Sequence, residues 1–207
     1  MVRYGMVIDT RRCIGCDTCT IACRVENLTP PGILWCNIRK YEIGVYPNAK
    51  LISVPMNCFH CDNPPCVKVC PTGASHRRED GIVLVDYEKC IGCQACVVAC
   101  PYRARHFVTS ISEYYPGKGF TPYEQLREKL TGSKKHIRGV VEKCTFCVDR
   151  VDADKEPFCV ETCVGNARFF GDLDDPNSKV SELIASRAAL QICPELGTDP
   201  SVYYIPP

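Results

Sequence analysis

No apolar run in the 207-residue chain approaches the roughly 18 residues that a membrane span requires. The opening, MVRYGMVIDTRRC, lacks an apolar signal core followed by a small-residue cleavage site. There is no nucleotide fingerprint, hence no sign of a bound dinucleotide. Basic charge is not in surplus: 25 Lys and Arg stand against 24 Asp and Glu, and a basic nucleic-acid surface is not indicated. These absences set the expectation of a soluble chain, made in a reducing compartment, without its own signal peptide and without a direct membrane span. A disulfide framework does not suit that setting.

What is abundant is cysteine, at 18 residues. Such density in a reducing compartment points to metal. Sixteen fall into four groups: Cys13, Cys16, Cys19, Cys23; Cys58, Cys61, Cys66, Cys70; Cys90, Cys93, Cys96, Cys100; and Cys144, Cys147, Cys159, Cys163. Cys36 and Cys193 are left over. Groups one and three belong to an internal repeat. MVIDTRRCIGCDTCTIAC at 6–23 aligns without gaps to VLVDYEKCIGCQACVVAC at 83–100, with eight of eighteen positions identical. NPPCVKVC at 63–70 likewise matches EPFCVETC at 156–163, so the chain reads as two tandem halves.

Groups one and three read C-x2-C-x2-C-x3-C, the spacing of bacterial [4Fe–4S] ferredoxins. Three thiolates within seven residues can cap three irons of one cube when the loop curls over it. Structural zinc instead wants two C-x2-C pairs far apart. Group two is the same pattern expanded by two residues. Group four, C-x2-C-x11-C-x3-C, is compatible on its own with a zinc ribbon, but it repeats the template of group two. Every group has its four cysteines, so no three-iron cluster is forced. No His stands at a ligand position, which disfavours a Rieske-type centre. The formal charge of +1 counts cysteines as neutral; sixteen thiolates contribute −16 and four cores at 2+ return +8, so the loaded chain carries about −7.

Cys70 and Cys100 are each followed by proline, the ending of two-cluster ferredoxins in which each fourth cysteine serves the other cube. Groups two and three should therefore pair, and groups one and four with each other. The expected sets are Cys13, Cys16, Cys19 with Cys163 (cluster 1); Cys58, Cys61, Cys66 with Cys100 (cluster 2); Cys90, Cys93, Cys96 with Cys70 (cluster 3); and Cys144, Cys147, Cys159 with Cys23 (cluster 4). No catalytic residue is expected.

The fold expected is α+β: two ferredoxin-like dicluster modules built from short strands, short helices and long loops. Residues 54–106 form one module, and 1–53 with 143–175 the other. Residues 107–142 form an insertion, and 176–207 a C-terminal helix and tail. Met6–Asp9 and Gly81–Asp86 read as strands, and SVYYI at 201–205 as a closing strand. Thr121-Pro122-Tyr123-Glu124 is a capping box predicting a helix through Leu130 that stops near Gly132. A second helix is predicted from Pro176 to Ser186, capped by Asp175.

Other residues carry plainer readings. Cys36 and Cys193 read as buried or spare thiols. Trp35 reads as core, and His60, His76, His106 and His136 as structural or surface residues. Arg12, Lys89 and Lys143 each precede a cysteine group; solvated surface charge is the plain reading, a raised cluster potential the alternative.

The segments CIGCDTCTIAC, CFHCDNPPCVKVCPTGA, CIGCQACVVACPYRAR, KCTFC, CVETC and GDLDDPNSKVSELI together resemble the four-cluster electron-transfer subunit of the dimethyl sulfoxide reductase family. Within it, the chain is most similar to the subunits of polysulfide, thiosulfate, tetrathionate and arsenate reductases. The resemblance runs from about Tyr4 to Ile205. It implies four [4Fe–4S] clusters, a large molybdopterin catalytic partner holding molybdenum or tungsten, and often a quinone-reactive membrane anchor subunit. The family's ligation pattern agrees with the sets above. Such a chain is not an enzyme by itself. It is membrane-associated through partners, on the periplasmic face if exported with a signal-bearing partner and otherwise cytoplasmic. The competing reading is a polyferredoxin-type wiring subunit of a hydrogenase or formate-oxidising complex.

Overall fold

The computed structural model describes residues 2–111, 115, 117–131, 136–186 and 188–207. Its central strand is β1 (Tyr4–Asp9), buried at every position after the first. Alternation assigns the two faces of this strand to two cores. Met6 and Ile8 join a core that includes Cys19, Cys58, Cys61, Phe59 and Phe146, whereas Val7 packs with Val180, Ala189 and Ile205. Burying a side chain such as Ile8 contributes about 1.5–3 kcal/mol, so the strand anchors both faces.

Helix α1 (Thr18–Asn27) follows the first cysteine loop and carries Cys19 and Cys23. Next come the strands of a hairpin, β2 (Asn37–Ile43) and β3 (Lys50–Met56), paired antiparallel from Asn37 opposite Met56 to Ile43 opposite Lys50. β3 runs across the division expected at 53/54. Helix α2 (Pro65–Lys68) carries Cys66, and β4 (Ser75–Arg77) pairs antiparallel with β5 (Val83–Val85), a shorter strand than the one expected over Gly81–Asp86. Helix α3 (Ala95–Ala99) carries Cys96.

The insertion leaves and returns through one ladder: β6 (His106–Phe107) pairs with β7 (Val141–Glu142). Between them lies α4 (Pro122–Thr131). Its capping box is formed. Glu124 N–H donates to Thr121 Oγ1 at 3.3 Å, and Thr121 N–H to Glu124 Oε2 at 2.6 Å. Gly132, the expected stop, lies outside the described residues.

Helices α5 (Val148–Val151) and α6 (Phe158–Glu161) follow in group four. β8 (Arg168–Asp172) pairs antiparallel with β1. The next helix, α7 (Lys179–Ala185), starts later than predicted. Its cap is Ser178, whose Oγ accepts from Ser181 N–H at 3.2 Å, and not Asp175. Asp175 Oδ1 instead accepts from Asn177 N–H at 2.9 Å, closing a turn that delays the helix. β9 (Leu190–Gln191), a short 3-10 turn (Pro194–Leu196) and β10 (Val202–Ile205) finish the chain. β10 lies parallel to β1, giving the sheet order β8-β1-β10-β9. Among the described residues no helix is long and apolar enough to cross a membrane.

Two helix contacts organise the cysteine loops. α1 packs against α6, joining groups one and four, and α2 packs against α3, joining groups two and three.

Candidate metal centres

The repeat is visible in backbone geometry. Asp17 and Gln94 hold equivalent places before α1 and α3, and both adopt the left-handed conformation at φ 60°. Gly15 and Gly92, the glycines of the two CIGC loops, sit at φ 67° and 69°. A Cβ on Gly92 would stand 2.1 Å from the Gly139 carbonyl oxygen, and one on Gly15 2.5 Å from Ser53 Oγ. Only glycine lets these loops turn while other chain segments press against them.

Cysteines gather from separate loops. Cys70, Cys90, Cys93 and Cys96 line one open cavity. Cys58, Cys61, Cys66 and Cys100 line a second. Cys13, Cys16, Cys19 and Cys163 line a third. Cys23, Cys144, Cys147 and Cys159 form a fourth set, all buried. Burial, and then repulsion from Cys144, Cys147 and Cys159, holds the Cys23 thiol well above the usual range. Asn27 Nδ2 reaches two sulfurs of this set, Cys23 Sγ at 3.6 Å and Cys147 Sγ at 3.8 Å.

The sulfurs surround a space and do not converge on a point. Among the described residues no three His, Cys, Asp or Glu lie close enough together to hold a single metal ion. Four thiols around a cavity suit a cube of four irons and four sulfides, which spreads its ligands over a larger body than one zinc ion does. The electrostatics agree with this fit. Burial first, and neighbouring cysteines next, push the Cys61 thiol up to about 12. The Cys147 thiol is likewise pushed up to about 12 by burial and then by Cys159. Four facing thiolates are unfavourable until a cationic core compensates them. Backbone amides are already aimed at sulfur: Ser75 N–H at Cys70 Sγ (3.4 Å), Ala167 N–H at Cys163 Sγ (3.2 Å) and Phe146 N–H at Cys144 Sγ (3.4 Å).

The sets succeed one another. Arg105 lies between Cys66 of the second set and Cys96 of the third. Cys144 is close enough to Cys58 to feel its charge, which links the second and fourth sets. Arg168 reaches Cys159 of the fourth set at 3.8 Å and Cys19 of the first at 3.7 Å. The two outer sets each have an exposed cysteine, Cys16 and Cys93. Beside these, Ile14 and Ile91 are 68% and 67% exposed.

The residues given plainer readings fall variously. Cys36 is buried beside Cys19, and Cys193 is exposed. Hydrogen bonding from Cys36, and then Arg168, pulls the Cys19 thiol down to about 6 against the opposing effect of burial. Trp35 is buried, edge-on to His136. His60 is buried, and its Nδ1 accepts from Val83 N–H at 3.1 Å. Arg12 lies over the Phe169 ring and Lys89 pairs with Asp86. Lys143 overturns the surface reading. It is 1% exposed and donates to the Val83 and Cys144 carbonyl oxygens. Sequence reasoning missed Arg105 and Arg168. Each stands five residues after the last cysteine of its group, a C-x4-R signal present in CPYRAR and CVGNAR.

Two family models, each described as a 4Fe-4S dicluster domain, match the chain: one over residues 49–114 and 118–173, the other over 12–74. This places the molecule among the dicluster iron–sulfur proteins. It is 43% identical to a selenate reductase subunit from Mesobacillus selenatarsenatis, over 99% of this chain and 72% of the relative. It is 40% identical to the arsenate respiratory reductase iron–sulfur subunit ArrB of a Shewanella species, over 99% of this chain and 96% of the relative. It is 42% identical to a tetrathionate reductase subunit from Salmonella typhimurium, over 98% of this chain and 72% of the relative. The chain belongs to this family of iron–sulfur electron-transfer subunits of the dimethyl sulfoxide reductase type.

Proposed function

We propose that the chain holds four [4Fe–4S] clusters and relays electrons through them between a molybdopterin catalytic subunit and a quinone-reactive or other redox partner. The observation that carries this reading is the gathering of sixteen cysteines into four sets of four, three of them lining cavities and the fourth wholly buried. Ligation is crossed: Cys70 joins Cys90, Cys93 and Cys96; Cys100 joins Cys58, Cys61 and Cys66; Cys163 joins Cys13, Cys16 and Cys19; Cys23 joins Cys144, Cys147 and Cys159. Groups two and three then make one dicluster module, and groups one and four the other.

Bound in these sets, the clusters supply one-electron redox chemistry. The chain does the rest. Thiolates from separate loops fix each position, and amides such as Ser75 and Ala167 N–H donate to ligand sulfurs, which favours added negative charge. The buried inner sets keep water out, while Cys16 and Cys93 bring the outer sets to the surface. Exposed Ile14 and Ile91 flank those ends and suit apolar partner contacts. The chain supplies no bond-making residue of its own; catalysis belongs to the partner. The relatives' names support a multi-subunit setting, since two of them are named as subunits of selenate and tetrathionate reductases.

Purification of the native complex tests this. Co-purification with a larger pterin-bearing subunit, and reduction of this chain's clusters during turnover, is the expected result. A monomer that alone reduces a sulfur or arsenic oxyanion with steady turnover would contradict it.

A further inference from the structure

Among the described residues three cations are buried without an ion pair to a carboxylate: Arg105 at 4% exposure, Lys143 at 1% and Arg168 at 3%. Burying a charge is unfavourable unless something nearby compensates it. For all three, the nearest compensating groups are cysteine sulfurs and polar oxygens. Arg105 Nη2 donates to Cys66 Sγ at 3.0 Å and Nη1 to Ser75 Oγ at 2.7 Å. Arg168 Nη1 and Nη2 point at Cys159, Cys19 and Cys36, with Asn57 Oδ1 at 3.2 Å. Lys143 Nζ donates to the carbonyl oxygens of Val83 and Cys144 at the boundary of the second and fourth sets.

Their distribution is regular. Arg105 lies between the third and second sets, Lys143 between the second and fourth, and Arg168 between the fourth and first. The two arginines are not copies of each other in the tandem repeat. Groups two and four are the corresponding ones, so Arg168 corresponds to Ser75, which holds the place five residues after Cys70. In one module the cation comes from the segment after group three, in the other from the segment after group four. Two different chain positions deliver a guanidinium to the same kind of gap.

Resting on the four-cluster reading above, we propose that Arg105, Lys143 and Arg168 are potential-setting cations, one in each gap between successive clusters. Each raises the reduction potential of the two clusters it separates. Reduction adds a negative charge to a cluster, and a fixed cation in a low-dielectric gap stabilises that added charge. Arginine suits the role because it stays protonated when buried. One cation placed between two clusters acts on both, so neighbouring potentials are set in pairs.

The test is a redox titration of the complex, followed by electron paramagnetic resonance, with this chain as wild type and as Arg105→Gln, Lys143→Gln and Arg168→Gln. Arg105→Lys, Lys143→Arg and Arg168→Lys keep the charge. Each Gln variant should lower two of the four midpoint potentials, by at least tenfold in the reduced-to-oxidised ratio at fixed potential, about 59 mV for one electron. The affected pairs should overlap in a fixed way. Arg105→Gln and Lys143→Gln share one cluster, Lys143→Gln and Arg168→Gln share another, and Arg105→Gln and Arg168→Gln share none. The charge-keeping variants should keep wild-type potentials. Unmoved potentials in the Gln variants, a uniform fall in all four, or equal falls in the Gln and charge-keeping variants would overturn the proposal. Where a Gln variant loses iron, the charge-keeping variant at that position decides: full iron at wild-type potentials supports the charge role, and iron loss in both overturns it. Iron and sulfide analysis of the wild type separates the two readings. Fewer than four clusters there would sink the four-cluster reading itself, whereas four clusters with unmoved potentials sink only this one.

Discussion

His60 and Phe146 stack with ring centroids 3.7 Å apart and planes inclined by 19°. They hold the same place in two different loops, the third position of C-F-H-C and of C-T-F-C. Both adopt left-handed backbone, at φ 42° and 55°. The corresponding cysteine groups of the two halves therefore meet ring to ring, and the contact joins the second and fourth cysteine sets. Phe170 braces it, edge-on to Phe146 at 5.3 Å.

Phe146 is 1% exposed. Phe146→Ala removes a buried aromatic and leaves a cavity at the junction, at an expected cost of about 3–5 kcal/mol. Thermal unfolding followed by loss of cluster absorbance checks this. A midpoint within a degree of wild type would show that the junction does not depend on the stack.

Cys36→Ala and Cys193→Ala should each retain the full iron content, because the other sixteen cysteines complete four sets of four. Cys193 is exposed, so its removal should be silent. Cys36 touches Arg168 at 3.2 Å and hydrogen-bonds Cys19, so its loss should move spectral detail without removing a cluster. Loss of a whole cluster's signal in either variant would mean that a ligand has been misassigned.

The cofactor class was legible because ligand geometry writes itself into local spacing, as in the C-x2-C-x2-C of groups one and three, and the family was legible through the longer segments that resemble it. The capping box at Thr121 was legible for the same local reason. What could not be read depends on contacts distant in sequence. Lys143 looks like a surface lysine beside a cysteine until β5 supplies the Val83 carbonyl. Arg168 is an ordinary arginine in CVGNAR until α1 brings Cys19 to it. The β2–β3 hairpin escaped because NIRKYEI is half exposed along its length and shows no buried face. The cap of α7 was misread because Asp175-Pro176 looks like a helix start, whereas the aspartate closes its own turn first.

Gly92→Ala should prevent assembly of the set containing Cys90, Cys93 and Cys96. The added Cβ would meet the Gly139 carbonyl oxygen at 2.1 Å, and alanine at φ 69° is strained besides. Iron content should fall by about four per chain, one cube's worth. Wild-type iron in this variant would show that the loop can open without losing its cluster.

Direct analysis of metal and sulfide in the protein purified without oxygen bears hardest on the central claim. Four cubanes require about 16 iron and 16 acid-labile sulfide per chain, with no stoichiometric zinc. About twelve iron with one zinc would contradict the account, and would assign Cys144, Cys147 and Cys159 to a structural zinc site.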